Sequence, residues 1–235
     1  DSPESWREGI EQLRNLDIDG VITIALPNKI IKEVETSLSS ATIVIVDTEP
    51  NKKFDAVNIE NFEGGKIATE HLISLGHKAI THIAGPRDGY EGQMRRNGYE
   101  AAMSTAKLKI DVIEGDWSIE SGYQAGLQIS VRRERPTAVF TTNDHQALGL
   151  IKALAEKKIT VPTDISIVAF DDIPEAAYFS PALTTVRQDF DHLGNLAINR
   201  MLAQLREPVK SAAYTIKPEL VVRDSTQSIT KSKGK

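Results

Sequence analysis

The sequence predicts an α/β protein built on parallel sheets, and three observations carry that expectation. Strand-like and helix-like segments alternate from one end of the 235 residues to the other. The strand-like runs are short and almost wholly apolar, as strands buried on both faces of a parallel sheet are; Ile-Ser-Ile-Val-Ala-Phe over 165–170 is the clearest. Several of these runs end in a polar residue where the next helix begins, and open α/β sheets bind ligands beyond the carboxyl ends of their strands. The alternation fits one many-stranded sheet or two lobes with a ligand cleft between them.

Taken in order, helical periodicity runs from Trp6 to Leu16, followed by a strand over 20–26 and a helix over 28–39. A strand over 41–46 ends at Asp47. A short strand over 56–59 precedes a long helix over 62–75, closed by Gly76, a residue that tolerates positive φ. Then come a strand over 79–84, a helix over 92–106, a strand over 109–114 and a helix over 119–132. A strand over 138–142 leads to a helix over 146–158. The run over 165–170 stops at two carboxylates. Asp172-Ile-Pro-Glu reads as a helix start, with an acid as cap, proline in the first turn and an acid three residues on. Asp172 is therefore expected to cap, which leaves Asp171 aimed at a ligand. A strand over 183–188, a helix over 191–205 and short strands over 213–216 and 220–222 complete the chain. The polar tail over 225–235 is expected to fray.

Composition narrows the function. The net charge is −5 and no basic face stands out, so these residues carry no electrostatic footprint for nucleic acid. With no cysteine, disulfides, thiolate nucleophiles and Cys-ligated metals are excluded. The five histidines show no ligand spacing, so neither metal nor cofactor is expected. No apolar run reaches membrane-spanning length, and no signal peptide opens the chain.

The polar strand ends are Asp47, the loop after Ala84 leading to Arg95, the segment reaching Trp117, Asn143, Asp171, and Gln188 followed by Asp189 and Phe190. Each has a plainer reading. Asn143 reads as a helix cap, Arg96 as a surface charge, Trp117 equally well as core. Together they offer carboxylates, amides, a guanidinium and aromatic rings, a set that suits a polyhydroxyl ligand. Asp47 and Asp171 as the acid/base pair of a glycosidase is a weaker reading. Gly64-Gly65-Lys66 lacks the spacing of a phosphate loop and reads as a flexible helix entry.

Several stretches together resemble the lactose-repressor/galactose-repressor family of bacterial transcription regulators. They are Glu-Asn-Phe-Glu-Gly-Gly over 60–65 with Ala-Thr-Glu-His-Leu-Ile-Ser-Leu-Gly-His over 68–77, Ile-Ala-Gly-Pro over 83–86, and Arg-Arg-Asn-Gly-Tyr over 95–99. Gly-Asp-Trp-Ser over 115–118, Pro-Thr-Ala-Val-Phe over 136–140 with Asn143-Asp144, the run over 164–172, and 181–190 with Leu193-Gly194 complete the set. The likeness covers roughly residues 1–224.

The resemblance implies a type I periplasmic-binding-protein-like effector domain. Its two doubly wound parallel-sheet lobes, here 1–59 plus 190–216 and 60–189 plus 217–224, would flank a ligand cleft. It carries Asp47, Arg95, Trp117, Asn143, Asp171, Gln188 and Phe190 over as effector contacts, and selects Arg95 over Arg96. Asp-Trp-Ser, Asn-Asp, Asp-Asp and Gln-Asp-Phe look closer to the lactose repressor than to the purine branch, which implies a sugar or sugar derivative. The expected role is a cytoplasmic, homodimeric, non-enzymatic regulator in which the effector closes the lobes and alters affinity for operator DNA. An extracytoplasmic sugar-binding protein of a transporter is the alternative; Leu183-Thr-Thr-Val through Gly194 favours the regulator. The family's helix-turn-helix and the first βαβ segment of the N-lobe are absent from these residues, so that lobe is expected to be short of strands.

Overall fold

The computed structural model describes residues 3–16, 18–25, 28–207 and 209–229. The chain forms two compact units. Unit 1 is Asp1–Glu60, Asp88–Glu91 and Asp189–Ile216; unit 2 is Asn61–Arg87, Gly92–Gln188 and Lys217–Lys235.

Unit 1 contains helices α1 (Pro3–Arg14), α2 (Asn28–Ser37) and α7 (Phe190–Arg206) and strands β1 (Gly20–Ile24), β2 (Thr42–Val46), β3 (Asp55–Ile59) and β9 (Ala213–Ile216). The strands form a parallel sheet in the order β1-β2-β3-β9. Strand β2 shows why. Successive side chains of a strand point to opposite faces. Ile43 and Ile45 pack with Ile10 of α1 and Val34 of α2, while Val44 and Val46 pack with Leu193, Ala197 and Met201 of α7. A strand apolar at every position can only be content with a helix layer on each side.

Unit 2 contains α3 (Asn61–Ser74), β4 (Ile80–Ile83), α4 (Tyr90–Thr105, its first two residues grouped with unit 1), β5 (Val112–Ile113), α5 (Ile119–Ser130), β6 (Ala138–Thr141) and α6 (Asp144–Glu156). Strands β7 (Ser166–Asp171), β8 (Thr184–Arg187) and β10 (Glu219–Val221) follow. The sheet order is β10-β8-β7-β6-β4-β5, parallel except for antiparallel β10. Strand β7 repeats the logic of β2. Ile167 and Ala169 join the layer of α5 and α6, and Val168 and Phe170 the layer of α3 and α4. The chain runs from β4 to β5 on one side and returns to β6 on the other. The carboxyl ends of β4 and β6 therefore flank a topological switch point, the usual position of a ligand site in such sheets.

Helices α3 and α4 cross at glycines. A Cβ at Gly65 would lie 2.1 Å from the Arg95 carbonyl oxygen, and one at Gly98 2.1 Å from that of Phe62. This near backbone-to-backbone contact brings the first residue of α3 alongside Arg95.

Three expectations are corrected. The edge strand β5 is much shorter than 109–114: the Asp111 carbonyl still accepts from His82 N–H of β4 at 2.9 Å, but the Asp111 N–H turns to the Tyr99 hydroxyl at 3.0 Å, and that hydroxyl donates to the same carbonyl at 3.0 Å. Asp172 caps nothing. A 3-10 helix over Pro174–Tyr178 follows Ile173 without a side-chain cap, and Asp172 instead pairs with Arg187 and Arg223, each at 2.7 Å. The tail does not fray at its start. Ser225 is fully buried; its Oγ donates to the Ile167 carbonyl at 2.7 Å and accepts from Thr184 N–H at 2.8 Å. Its carbonyl accepts from Ile167 N–H at 2.8 Å, and Ile229 N–H reaches the Leu75 carbonyl at 2.9 Å. The remainder of the expected tail, 230–235, lies outside the described residues.

Ending the chain at Asp224 strips these partners from β7 and β8. It is expected to cost roughly 2–4 kcal/mol of unfolding free energy, at about 1 kcal/mol per lost hydrogen bond plus groups left unsatisfied. Urea denaturation of the shortened chain against the full one measures this; coincident midpoints would show that the tail contributes nothing.

Candidate functional site

Unit 2 gathers five of the residues singled out in the sequence: Arg95, Trp117, Asn143, Asp171 and Gln188. Arg95 is only 4% exposed, and a guanidinium that deep must have its charge and its N–H groups met. Nε donates to Asn61 Oδ1 at 2.8 Å, and Nη1 to the Thr142 carbonyl at 2.8 Å and to Asp171 Oδ1 at 3.2 Å. Its Cζ lies 3.8 Å from the centroid of Phe170, a stacked cation–π arrangement. Nη2 has no hydrogen-bond partner among the described residues.

Asp171 ends β7 with φ at 115°. Gln188 Nε2 donates to Oδ1 at 2.6 Å, the oxygen already bound by Arg95, so Oδ2 is left without a partner among the described residues. Burial pushes the Asp171 carboxyl above the ordinary carboxylate range, against the pull of Arg95 and then of Gln188. Two further buried atoms nearby, Gln188 Oε1 and Thr142 Oγ1, have no hydrogen-bond partner among the described residues. Unsatisfied buried polar atoms are rare in native interiors, and each calls for an explanation.

Trp117 is half-buried. Its ring lies on a floor of Gly85 and Gly92, where added Cβ atoms would stand 3.0 Å and 3.1 Å from the ring edge. The Arg95 Cζ is 5.7 Å from its centroid. Asn143 is the N-cap of α6: its side chain accepts from Gln146 N–H at 2.8 Å and donates to the Trp117 carbonyl at 3.0 Å. The expected cap is present, and the same amide steadies the tryptophan. Arg96 behaves as the surface charge expected, pairing with Glu100 and Glu114. Gly64-Gly65-Lys66 is not a helix entry, because α3 already begins at Asn61. Gly64 faces the Phe170 ring, where a Cβ would fall 2.4 Å from a ring carbon.

Asp47 and Phe190 belong to unit 1. Asp47, with φ at 44°, accepts from Ile59 N–H at 2.9 Å. Phe190 opens α7 behind the Asp189 cap and is about half exposed, at 52%. Tyr90, also in unit 1, is held in its protonated form first by burial and then by the charges of Glu49 and Asp47. Among the described residues no group of three His, Asp or Glu could hold a metal ion. No helix there is long and apolar enough to cross a membrane.

Sequence reasoning missed three supports. Asn61 looked like an ordinary helix start, Gln146 like an ordinary helix residue, and Asp144 like the companion of Asn143. Asp144 is fully buried. It accepts from the Thr185 hydroxyl at 2.6 Å and from Ile173 N–H at 2.9 Å. Burial first, then the neighbouring Asp171 and Asp172 carboxylates, push its pKa up to about 7.

Residues 69–226 match a family model described as a periplasmic binding protein-like domain. The HTH-type transcriptional repressor PurR of Haemophilus influenzae (strain PittEE) is 36% identical over 235 residues, covering 97% of this chain and 70% of the repressor. Among solved structures, the transcriptional regulator CelR–cellobiose complex superposes with a TM-score of 0.89 at 27% identity, over 95% of this chain and 71% of that one. The lac repressor dimer bound to operator and the anti-inducer ONPF gives 0.86 at 27% identity, over 97% of this chain and 80% of that one. Whole-chain identity to PurR thus runs across the motif likeness to the lactose repressor.

The Asp144 environment makes stability depend on pH with a definite sign. In the folded chain the carboxyl keeps its proton up to about 7, against an ordinary value of 3.8. Between those values the folded state binds more protons, so this contribution is fully present below the lower value and lost as pH rises through the upper one. Asp144→Asn removes that slope. Relative to wild type it is expected to gain stability between about pH 4 and about pH 8, by at most about 4 kcal/mol at roughly 1.4 kcal/mol per pKa unit. Urea melts of both proteins at the two pH values measure the gain; a constant gap would assign Asp144 an ordinary pKa.

Proposed function

The chain belongs to the lactose-repressor/galactose-repressor family of transcription regulators, and on that footing we propose that its effector is a sugar or sugar derivative taken up by the unit 2 constellation. The carrying observation is the buried Arg95–Asp171–Gln188 group with its unused Nη2, Oδ2 and Oε1 atoms. Such a group presents one donor edge and two acceptors, all oriented before a ligand arrives. Neighbouring hydroxyls of a sugar can donate to the acceptors and accept from the guanidinium, while the half-buried Trp117 offers a ring for the apolar C–H face. Cellobiose in the CelR structure supports the same reading. Asp47 and Phe190 join the proposed contacts on the motif likeness alone, and Asn143 acts as much by holding Trp117 as by touching ligand.

The chain is a ligand-binding regulatory domain. The relatives are named as transcriptional repressors, which supports recognition over turnover as the role of the group. The regulator works as a homodimer, as the lac repressor structure does, with DNA read by a helix-turn-helix outside these residues. Effector binding shifts the balance between conformations of high and low operator affinity, by no more than its differential affinity for them. A second reading, a purine-type effector, is favoured by one observation, the 36% identity to PurR.

Calorimetry with ribose, cellobiose and lactose beside adenine and guanine tests both readings. A sugar is expected to bind wild type. Asp171→Asn, which keeps an acceptor for Gln188, is expected to weaken it roughly tenfold or more, the worth of one hydrogen bond to a charged group. Binding of a purine base alone would overturn the sugar assignment; sugar binding equal in the two proteins would take Asp171 out of the site.

A further inference from the structure

We infer that Gln146 is a positioning residue whose single buried carboxamide sets Trp117 relative to Arg95, and so tunes what the site accepts. The inference rests on the effector reading only for its consequence; the geometry stands without it. Gln146 lies in the first turn of α6 and is fully buried. Its Oε1 accepts from Thr142 N–H at 3.0 Å, and Nε2 donates to the Ala84 carbonyl at 3.0 Å. The same Nε2 donates to the Asp116 carbonyl and lies 3.3 Å from Ser121 Oγ.

Those partners sit at the carboxyl ends of three strands. Ala84 follows β4, Asp116 lies in the loop after β5, and Thr142 follows β6. Asp116 precedes Trp117 directly. The Thr142 carbonyl holds Arg95 Nη1 at 2.8 Å. Trp117 thus follows directly on one of these loops, Arg95 of α4 is bonded by the carbonyl of another, and the two loops share one amide. Among the described residues no other side chain bonds both the Asp116 carbonyl and the Thr142 N–H. Gly115 leaves room for the arrangement, since a Cβ there would be 2.9 Å from Gln146 Nε2 and 2.8 Å from the Ala84 oxygen. Asn143 holds the Trp117 carbonyl from the other side, so the tryptophan backbone is gripped before and after its ring.

Replacing Gln146 by methionine keeps length and volume but returns nothing to the Asp116 and Ala84 carbonyls, and leaves Thr142 N–H with the Ile83 carbonyl at 3.0 Å. The loop carrying Trp117 is then free to move while the hydrophobic layers stay filled. A merely structural role would lower stability and leave the tryptophan alone, and that contrast makes the test. In a Trp6→Phe background Trp117 is the sole tryptophan. Acrylamide quenching of its emission is measured without ligand in wild type, Gln146→Met and Leu154→Ala, the last a truncation of a fully buried core residue that lowers global stability. Gln146→Glu is the fallback if the methionine variant fails to fold, since it keeps an acceptor for Thr142 and loses both donors.

The expected result is quenching of Trp117 raised roughly twofold, with a red shift, in the Gln146 variant and unchanged in Leu154→Ala, as local loosening differs from global destabilisation. Quenching equal to wild type, or raised equally in Leu154→Ala, would overturn the inference. Where wild type binds cellobiose, the Gln146 variant is expected to bind it roughly tenfold more weakly, about the worth of one lost hydrogen bond. Failure of wild type to bind cellobiose counts against the effector reading alone, and the quenching result still decides the role of Gln146.

Discussion

A guanidinium taken out of water is the constraint on which the architecture of unit 2 turns. Stripped of solvent, Arg95 must find both a counter-charge and acceptors in fixed directions. They come from three separate places: Asn61 at the start of α3, the Thr142 carbonyl at the end of β6 and Asp171 at the end of β7. Each position follows from a backbone feature. Asn61 arrives because glycines let α3 and α4 touch. Thr142 arrives because β6 pairs beside β4 at the switch point. Asp171 arrives because it ends β7, which runs parallel beside β6. What remains unsatisfied among the described residues after these bonds is one edge of the guanidinium and the outer oxygens of Asp171 and Gln188, the atoms on which the proposed effector site rests.

The acids around this centre are sorted by the cations they can reach. Asp171 and Asp172 are adjacent, yet the first faces Arg95 and Gln188 while the second pairs with Arg187 and Arg223. Positive φ at both residues separates them. Asp144, the third acid, has no ion pair among the described residues and two hydrogen bonds only. Burial raises the cost of its charge, and the proton it retains to about pH 7 is the response. Asp171 and Asp172 each have arginine partners, whereas Asp144 holds a proton instead.

The sheets were legible because their strands are apolar at nearly every position, and only a layer on each face satisfies such a pattern. Asp171 was legible for a related reason: a carboxylate ending a doubly buried strand has few places to go. Asp172 was misread because proline and an acid downstream imitate a helix start, while the arginines that hold it lie far off in sequence. The beginning of the tail was misread for the same reason. Ser225 looks like linker composition, and only the paired sheet shows that it replaces a neighbouring strand for Ile167. Gln146 carried no signal, since a glutamine in a first turn is ordinary and its three partners lie in loops. Local pattern reveals which faces are covered; it does not reveal which single polar groups tie distant loops together.

The conflict between the motif likeness and the overall identity has a physical resolution. Identity over a whole chain is dominated by residues that fill cores and shape turns, and those are shared by regulators whatever they bind. Ligand class is set by the few groups left unsatisfied once the fold is complete. Here those groups are Asp171 Oδ2 and Gln188 Oε1, which accept, the Thr142 hydroxyl, which does both, and one guanidinium edge, which donates. A partner must therefore donate to the first two and accept from the last. Every hydroxyl of a sugar can do both by turning, whereas the donors and acceptors of a purine base lie fixed in one plane. That freedom is the physical ground for setting the proposed polyhydroxyl effector above a purine despite the whole-chain identity.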